Sequence, residues 1–325
     1  MSNTLTFSSG LANEIRAMID FRKSMGVTDY EYLLSKFDRF CVSKYPERTM
    51  LEREMVLDWI ADERSQHNRV RNNAVAIRQL GKHIVSSGKY AYVLPNNFVS
   101  SKNDFVPYIF TDEELARFFK AADSVKCYKS NPYAHIIVPV LFRLLYCCGL
   151  RPNEGRELKR KNVNLENGEI LIEHNKQKKQ RFVVMSDDLL SLCRKYETQR
   201  NVFAPESKYF FPGYNNLPYQ SQRVTAMFNQ CWRKCNLKNG IKNYHRARPY
   251  DLRHRFASAV LQKWAEEGKD LYTMLPYLRA YMGHKYFSST AYYIHLLPEN
   301  IKAVANIDWE KFESLLPEVQ HYEND

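Results

Sequence analysis

The 325 residues exceed one minimal domain and suit two, each able to bury its own core. A composition of 44% hydrophobic and 26% charged residues is that of an ordinary globular protein. No apolar run approaches the roughly 20 residues a transmembrane helix needs, which excludes a helical membrane protein. The net charge of +12 is uneven: residues 107–297 carry 31 Lys/Arg against 17 Asp/Glu, whereas 298–325 carry 2 against 7. Such a surplus favours a polyanionic partner bound in a salt-dependent way, and a plainly solvated basic surface is the alternative.

The opening "MSNTLTFSSGLANEIRAMID" lacks the basic-then-apolar pattern of a secretion signal, so the expected location is the cytoplasm. The seven cysteines are odd in number, scattered, and set mostly in apolar helical patterns, as reduced buried thiols are. Cys231 and Cys235 could share a helix face, but no second Cys/His pair accompanies them, and neither a metal nor another cofactor is expected.

From Ala12 to about Tyr90 the pattern is helical. "DYEYLLSKFDRFCVSKY" puts Tyr30, Leu33, Phe37 and Phe40/Cys41 on one face. "HNRVRNNAVAIRQLGKHIVSSGK" aligns Val70, Ala74, Ile77, Leu80 and Ile84, leaving Arg69, Arg71, Arg78 and Lys82 on the other face, either solvated or against a DNA backbone. "VLPNNFVSSKNDFVPYIF" then loses periodicity around two prolines, Asn-Asn and Ser-Ser, as a linker does. The expected division is a helical domain over 1–94, a linker over 95–110 and a second domain over 111–325. That second domain opens on the capping box Thr111 to Glu114.

In it, "PYAHIIVPVLFRLLYCCG" is a nearly all-apolar helix ending on Gly149, a C′ glycine. "EILIE" and "RFVVM" read as a small antiparallel sheet whose Lys-rich connection offers Lys176, Lys178 and Lys179. After Ser186 the pattern is helical to the end. The tail "IDWEKFESLLPEV" is acidic and amphipathic, with Trp309, Phe312, Leu315 and Leu316 near one face. The fold class is mainly α with one small antiparallel sheet.

Four dispersed fragments carry chemistry: "CCGLRPNEGREL" (147–158), "NKQKKQRFVV" (175–184), "RPYDLRHRFAS" (248–258) and "GHKYFSSTAYYIH" (283–295). Two arginines supply forked, permanently charged donors that suit phosphate oxygens. A lysine can donate a proton, and a histidine and a tyrosine nine residues apart can bracket the anion, the phenol acting as nucleophile. A free phenol titrates at about 10, and nearby guanidiniums favour the phenolate. Singly, each residue has a plainer role as a helix-end arginine, a solvated turn lysine or a packing tyrosine, so the joint pattern and its order carry the inference.

The four fragments in this order resemble the tyrosine recombinases, or phage-type integrases, including the Xer-like recombinases, over essentially the whole chain. "GLRPNEGREL" looks like the family's first arginine box, "NKQKKQR" before "FVVM" like its hairpin lysine box, "YDLRHRFAS" like the box of the second arginine, and "MGHKYFSSTAYYIH" like the final box with the nucleophile nine residues after the histidine. The resemblance implies a SAM-like helical core-binding domain, a catalytic domain, and a C-terminal helix (about 299–320) that docks on a neighbouring copy. It implies Tyr293 as nucleophile, Arg151 and Arg253 on the non-bridging oxygens, Lys176 as proton donor to the leaving oxygen, His284 on the phosphate and Glu154 in support. The implied partners are a duplex DNA site, a homotetramer on paired sites and accessory DNA-bending proteins, with no metal or ATP and a nucleoid-associated location. The sequence departs at Tyr250, where the family usually has histidine; His254 is expected to point elsewhere on its helix, and His245 is remoter. Type IB topoisomerase action and a catalytically silent DNA-binding protein are the competing functions.

Overall fold

A computed structural model describes residues 5–27, 30–61, 67–98, 106–129, 131–173, 180–238, 240–241 and 244–297, apart from the side chains of 67–69, 216 and 238. It divides into two compact units, Met1–Asn103 and Asp104–Asp325.

The first unit contains α1 (Ala12–Ser24), α2 (Glu31–Lys44), α3 (Arg53–Ala61) and α4 (His67–Ser86). Their apolar stripes close on one core that includes Ile15, Met18, Leu34, Phe37, Met55, Trp59, Ile77 and Leu80. On α2 the inward row is Leu34, Phe37, Asp38 and Cys41, one residue round from the expected Leu33, which is half-buried. The rotation buries the Asp38 carboxylate, where it accepts the backbone N–H groups of Ser8 and Ser9 at 2.9 and 3.0 Å. A buried acid needs such donors.

Arg78 departs from expectation in the same way. Instead of sharing an exposed basic face, it is 9% exposed, and its guanidinium donates to the carbonyls of Leu94 and Pro95 at 2.8 and 2.7 Å. A proline-containing chain end without regular structure leaves carbonyls to satisfy, and the guanidinium answers them. Arg71 is half-buried and Lys82 exposed; the side chain of Arg69 lies outside the described residues.

The second unit contains α5 (Asp112–Asp123), α6 (Ala134–Cys147), α7 (Pro152–Arg156), β1 (Glu169–Ile172), β2 (Arg181–Val184), α8 (Asp187–Phe203), α9 (Ser221–Lys238), α10 (Asp251–Glu266), α11 (Leu271–Met282) and α12 (Ser288–His295). The α5 capping box forms in both directions: Glu114 N–H donates to Thr111 Oγ1 at 3.2 Å, and Thr111 N–H to Glu114 Oε2 at 3.0 Å. α6 is the buried centre, packed against α5, α8 and α10. β1 and β2 pair antiparallel, Glu169 opposite Val184 and Ile172 opposite Arg181. Alternation turns Arg181 and Val183 inward while Phe182 and Val184 face out. The helical pattern expected after Ser186 breaks between α8 and α9, where Pro205, Pro212, Gly213 and Pro218 interrupt it, although Phe210 and Phe211 remain in the core. A second cluster, including Leu261, Leu275, Leu278 and Ile294, binds α10, α11 and α12 together.

The seven cysteines are free thiols, with Cys127 and Cys147 exposed and the other five buried. Among the described residues no helix is long and apolar enough to cross a membrane, and no three His, Cys, Asp or Glu side chains gather as a metal-binding group. The C-terminal helix expected at about 299–320 lies outside the described residues.

Candidate active site

The site is built on two helix ends. α6 stops at Cys148, and Gly149 follows in the left-handed region at φ 58°, where a Cβ would meet the Phe256 ring at 2.4 Å. The chain then turns through Arg151 into α7, with Pro152 in its first turn and Glu154 reaching back to accept the Arg151 N–H at 2.9 Å. α11 ends likewise on Gly283, at φ 65°.

Glu154 is the hub. Arg181 grips both its oxygens, each at 2.8 Å; Arg151 Nη1 donates to it at 3.0 Å; and Arg253 Nη1 lies 3.8 Å away. The same guanidiniums cap the end of α11. Arg181 donates to the Tyr281 carbonyl at 2.8 Å, Arg253 to Met282 at 2.6 Å and Arg151 to Gly283 at 3.2 Å, while Arg253 also reaches Gly149 O at 2.7 Å. Those carbonyls have no partner within the helix and carry its negative dipole end, so they draw cations.

Burial opposes the ionisation of Glu154, but the Arg181 hydrogen bonds and the charges of Arg253, Arg181 and Arg151 hold its carboxyl at about 2. Three permanent positive charges thus surround one negative charge. Burial pulls the Arg253 guanidinium down; Tyr250, Glu154 and Tyr293 nearby oppose that and Arg151 adds to it. Arg253 is fully buried, and its Nε has no hydrogen-bond partner.

Tyr293, 2% exposed, faces this cluster from α12. Its phenol oxygen is 2.8 Å from His254 Nδ1 on α10, and its ring runs nearly parallel to that of His284, 14° apart with centroids at 6.1 Å. His284 Nδ1 is 2.8 Å from Thr290 Oγ1. Burial, then Arg253 and Arg248, lowers His254 to about 3; burial, then Arg253 and Arg151, puts His284 well below the ordinary histidine range. Both shifts favour the neutral imidazole. Tyr250 packs on His254, centroids 5.0 Å apart, and together with Arg151, Glu154 and Gly283 lines a cavity of about 530 Å³.

Arg151, Tyr250, Arg253, His284 and Tyr293, separated by up to 142 positions, therefore gather in one place, whereas Lys176, Lys178 and Lys179 lie outside the described residues. Tyr292 is half-buried and meets Tyr293 edge to face. Two members were not anticipated. Arg181 had a signal, a charged residue at an inward position of a core-packed strand. His254 corrects an expectation: judged against Arg253 it should point away, but it stands four residues after Tyr250, and positions four apart share a helix face.

The sequence profile described as "Phage integrase family" matches residues 109–300. The chain is 27% identical over 297 residues to y4rE of Sinorhizobium fredii, a protein assigned to the integrase/recombinases, covering 89% of this chain and 92% of that one. It is 29% identical over 164 residues to the tyrosine recombinase XerC of Lactobacillus leichmannii, covering 49% of this chain and half of that protein. Among solved structures, the XerH site-specific recombinase bound to palindromic difH substrate has a TM-score of 0.63 at 18% identity, covering 95% of this chain and 92% of that one. The Tn1549 transposon integrase in complex with transposon right end DNA has a TM-score of 0.62 at 16% identity, covering 86% and 94%.

Proposed function

Because this chain belongs to the phage integrase family of tyrosine recombinases, we propose that it is a site-specific DNA recombinase whose nucleophile is Tyr293. One observation carries this reading: the positive charge of Arg151, Arg181 and Arg253 exceeds that of Glu154 beside the phenol of Tyr293. A buried cationic surplus is costly unless an anion completes it. A phosphodiester brings one negative charge to that surplus, and its trigonal-bipyramidal transition state brings more. Donors fixed in advance by Glu154 and the α11 carbonyls stabilise the added charge without reorganising.

In the reaction the Tyr293 oxygen bonds to the scissile phosphorus and the bond from phosphorus to the 5′ oxygen breaks. A 3′-phosphotyrosyl ester and a free 5′-hydroxyl result. Arg151 and Arg253 hold the non-bridging oxygens, His284 donates to one of them, and Lys176 supplies the proton to the 5′ oxygen. Because the ester conserves the bond energy, rejoining to another 5′-hydroxyl needs neither ATP nor a metal ion. Four copies hold two duplex sites during the exchange, with Arg71, Lys82, Lys178 and Lys179 offered to the DNA backbone and accessory DNA-bending proteins as further partners.

A nicked duplex from which the cleaved strand diffuses away tests the reading. Wild-type protein and Tyr292→Phe leave an adduct that survives SDS, and Tyr293→Phe leaves none. Tight binding without an adduct would identify a silent DNA-binding protein, and relaxation of supercoils without site preference a topoisomerase.

A further inference from the structure

Attack by the Tyr293 oxygen requires a base for its phenolic proton, and Tyr250 occupies the position where the family usually has histidine. We propose that His254 is the catalytic base that takes this proton through Nδ1, with Asp251 as the positioning residue that keeps the other ring nitrogen protonated. The inference rests on Tyr293 being the nucleophile.

Geometry carries it. His254 Nδ1 stands 2.8 Å from the Tyr293 oxygen, a hydrogen-bond distance, across 39 residues of sequence. At the far side of the ring, Asp251 Oδ1 lies 3.9 Å from Nε2. That is too long for a hydrogen bond, so the carboxylate acts on the ring through its negative charge. Asp251 is itself buried and fixed, its carboxylate accepting the Arg248 N–H at 2.7 Å and Arg248 Nη2 at 3.3 Å. A negative charge on the Nε2 side favours the tautomer with hydrogen there, which turns the Nδ1 lone pair toward Tyr293 and makes the phenol the donor. The order hydroxyl, imidazole, carboxylate is that of an activated nucleophile with an oriented base. His284 is not equivalent, since its Nδ1 is engaged with Thr290 and its remaining nitrogen serves the phosphate.

The groups that face His254 are Tyr250, Asp251 and Arg253 on its own helix, Arg248 ahead of it, Tyr293 from α12 and His284 from the turn after α11. In the free protein burial and then the nearby arginines make the imidazole a poor base, so the phenol keeps its proton. A phosphodiester entering beside Arg253 offsets that positive charge and raises the basicity of His254, so activation follows substrate binding. The step balances. The Tyr293 O–H bond breaks as the O–P bond forms, the proton passes to Nδ1, and the 5′ oxygen leaves with a proton from a separate acid. In rejoining, His254 returns its proton to the departing phenolate.

The test uses full-length protein in two arms. With [15N]histidine labelling, His254 is expected to be neutral with hydrogen on Nε2 between pH 5 and 8, and Tyr293→Phe is expected to shift its Nδ1 resonance. Hydrogen on Nδ1 instead would overturn the proposal. In the second arm, adduct formation is timed on a pool of nicked duplexes cut from the DNA bordering the gene. His254→Gln is expected to slow it about 10²–10⁴-fold, to flatten its pH dependence, and His254→Ala to be partly rescued by added imidazole. An adduct formed equally fast by His254→Gln sinks the base while sparing the recombinase reading; no adduct from the wild-type protein sinks both.

Discussion

Both units bury arginine, and Arg78 and Arg253 are satisfied in different ways. In the first unit, Arg78 spends its donors on carbonyls of the segment just beyond its helix, all within 18 positions of it. Those partners are neutral and belong to one stretch of chain. In the second unit, Arg253 reaches carbonyls 104 and 29 residues away, shares Glu154 with Arg151 and Arg181, and keeps an unpartnered Nε. One arrangement closes a fold; the other leaves an excess of positive charge beside a tyrosine. Burial of a cation alone therefore does not mark a functional site, whereas burial with like charges around too few anions does.

Perturbing Glu154 breaks the contrast most strongly. Glu154→Gln leaves three guanidiniums facing one another, and about 3–5 kcal/mol of stability should be lost. Hydrogen exchange should show it as lost protection of α7 and β2, with the first unit unaffected. If protection is unchanged, Glu154 is not what holds the cluster.

Acid should separate the units next. The folded carboxyl of Glu154, held at about 2, contributes stability that is fully present above the ordinary 4.5 and lost as pH falls toward 2. His254 and His284 add an earlier phase. They stay neutral when folded, to about pH 3 for His254, while the unfolded chain takes up protons below 6.5. The second unit should therefore weaken from pH 6.5 downward, by roughly 2 kcal/mol from His254 by pH 5, with His284 adding in the same direction. His284→Gln should flatten this phase in urea titrations at a series of pH values.

Smaller effects sharpen the comparison from the first unit. Arg78→Met strands the Leu94 and Pro95 carbonyls and should cost about 1–3 kcal/mol, read as faster hydrogen exchange at 91–98 with no change in the salt dependence of DNA binding. Lys82→Ala, at an exposed position, should change stability by less than about 0.5 kcal/mol. If Lys82 meets a phosphate, the slope of log affinity against log salt should fall by about one unit.

Much of this architecture was legible in the residues. The 3.6-residue stripes located the helices, Thr111 with Glu114 marked the start of α5, Gly149 marked the end of α6, and the short β-prone runs "EILIE" and "RFVVM" marked the paired strands. Adjacent helical residues diverge by about 100°, so only one of Tyr292 and Tyr293 can face the arginines, and the family's spacing from His284 pointed to Tyr293. Periodicity, however, reports the face a residue occupies and not what it meets there. Nothing local distinguished Arg78, turned to the chain beyond its helix, from its exposed neighbour Lys82. Nothing local joined Arg181 to a glutamate 27 positions earlier or His254 to a phenol 39 positions later. Sequence by itself determined the elements and the order of the chemical groups, since those follow from backbone sterics and short-range hydrogen bonding. Tertiary structure decided which charges share one low-dielectric space, and that proximity sets how strongly they act on one another and on the tyrosine among them.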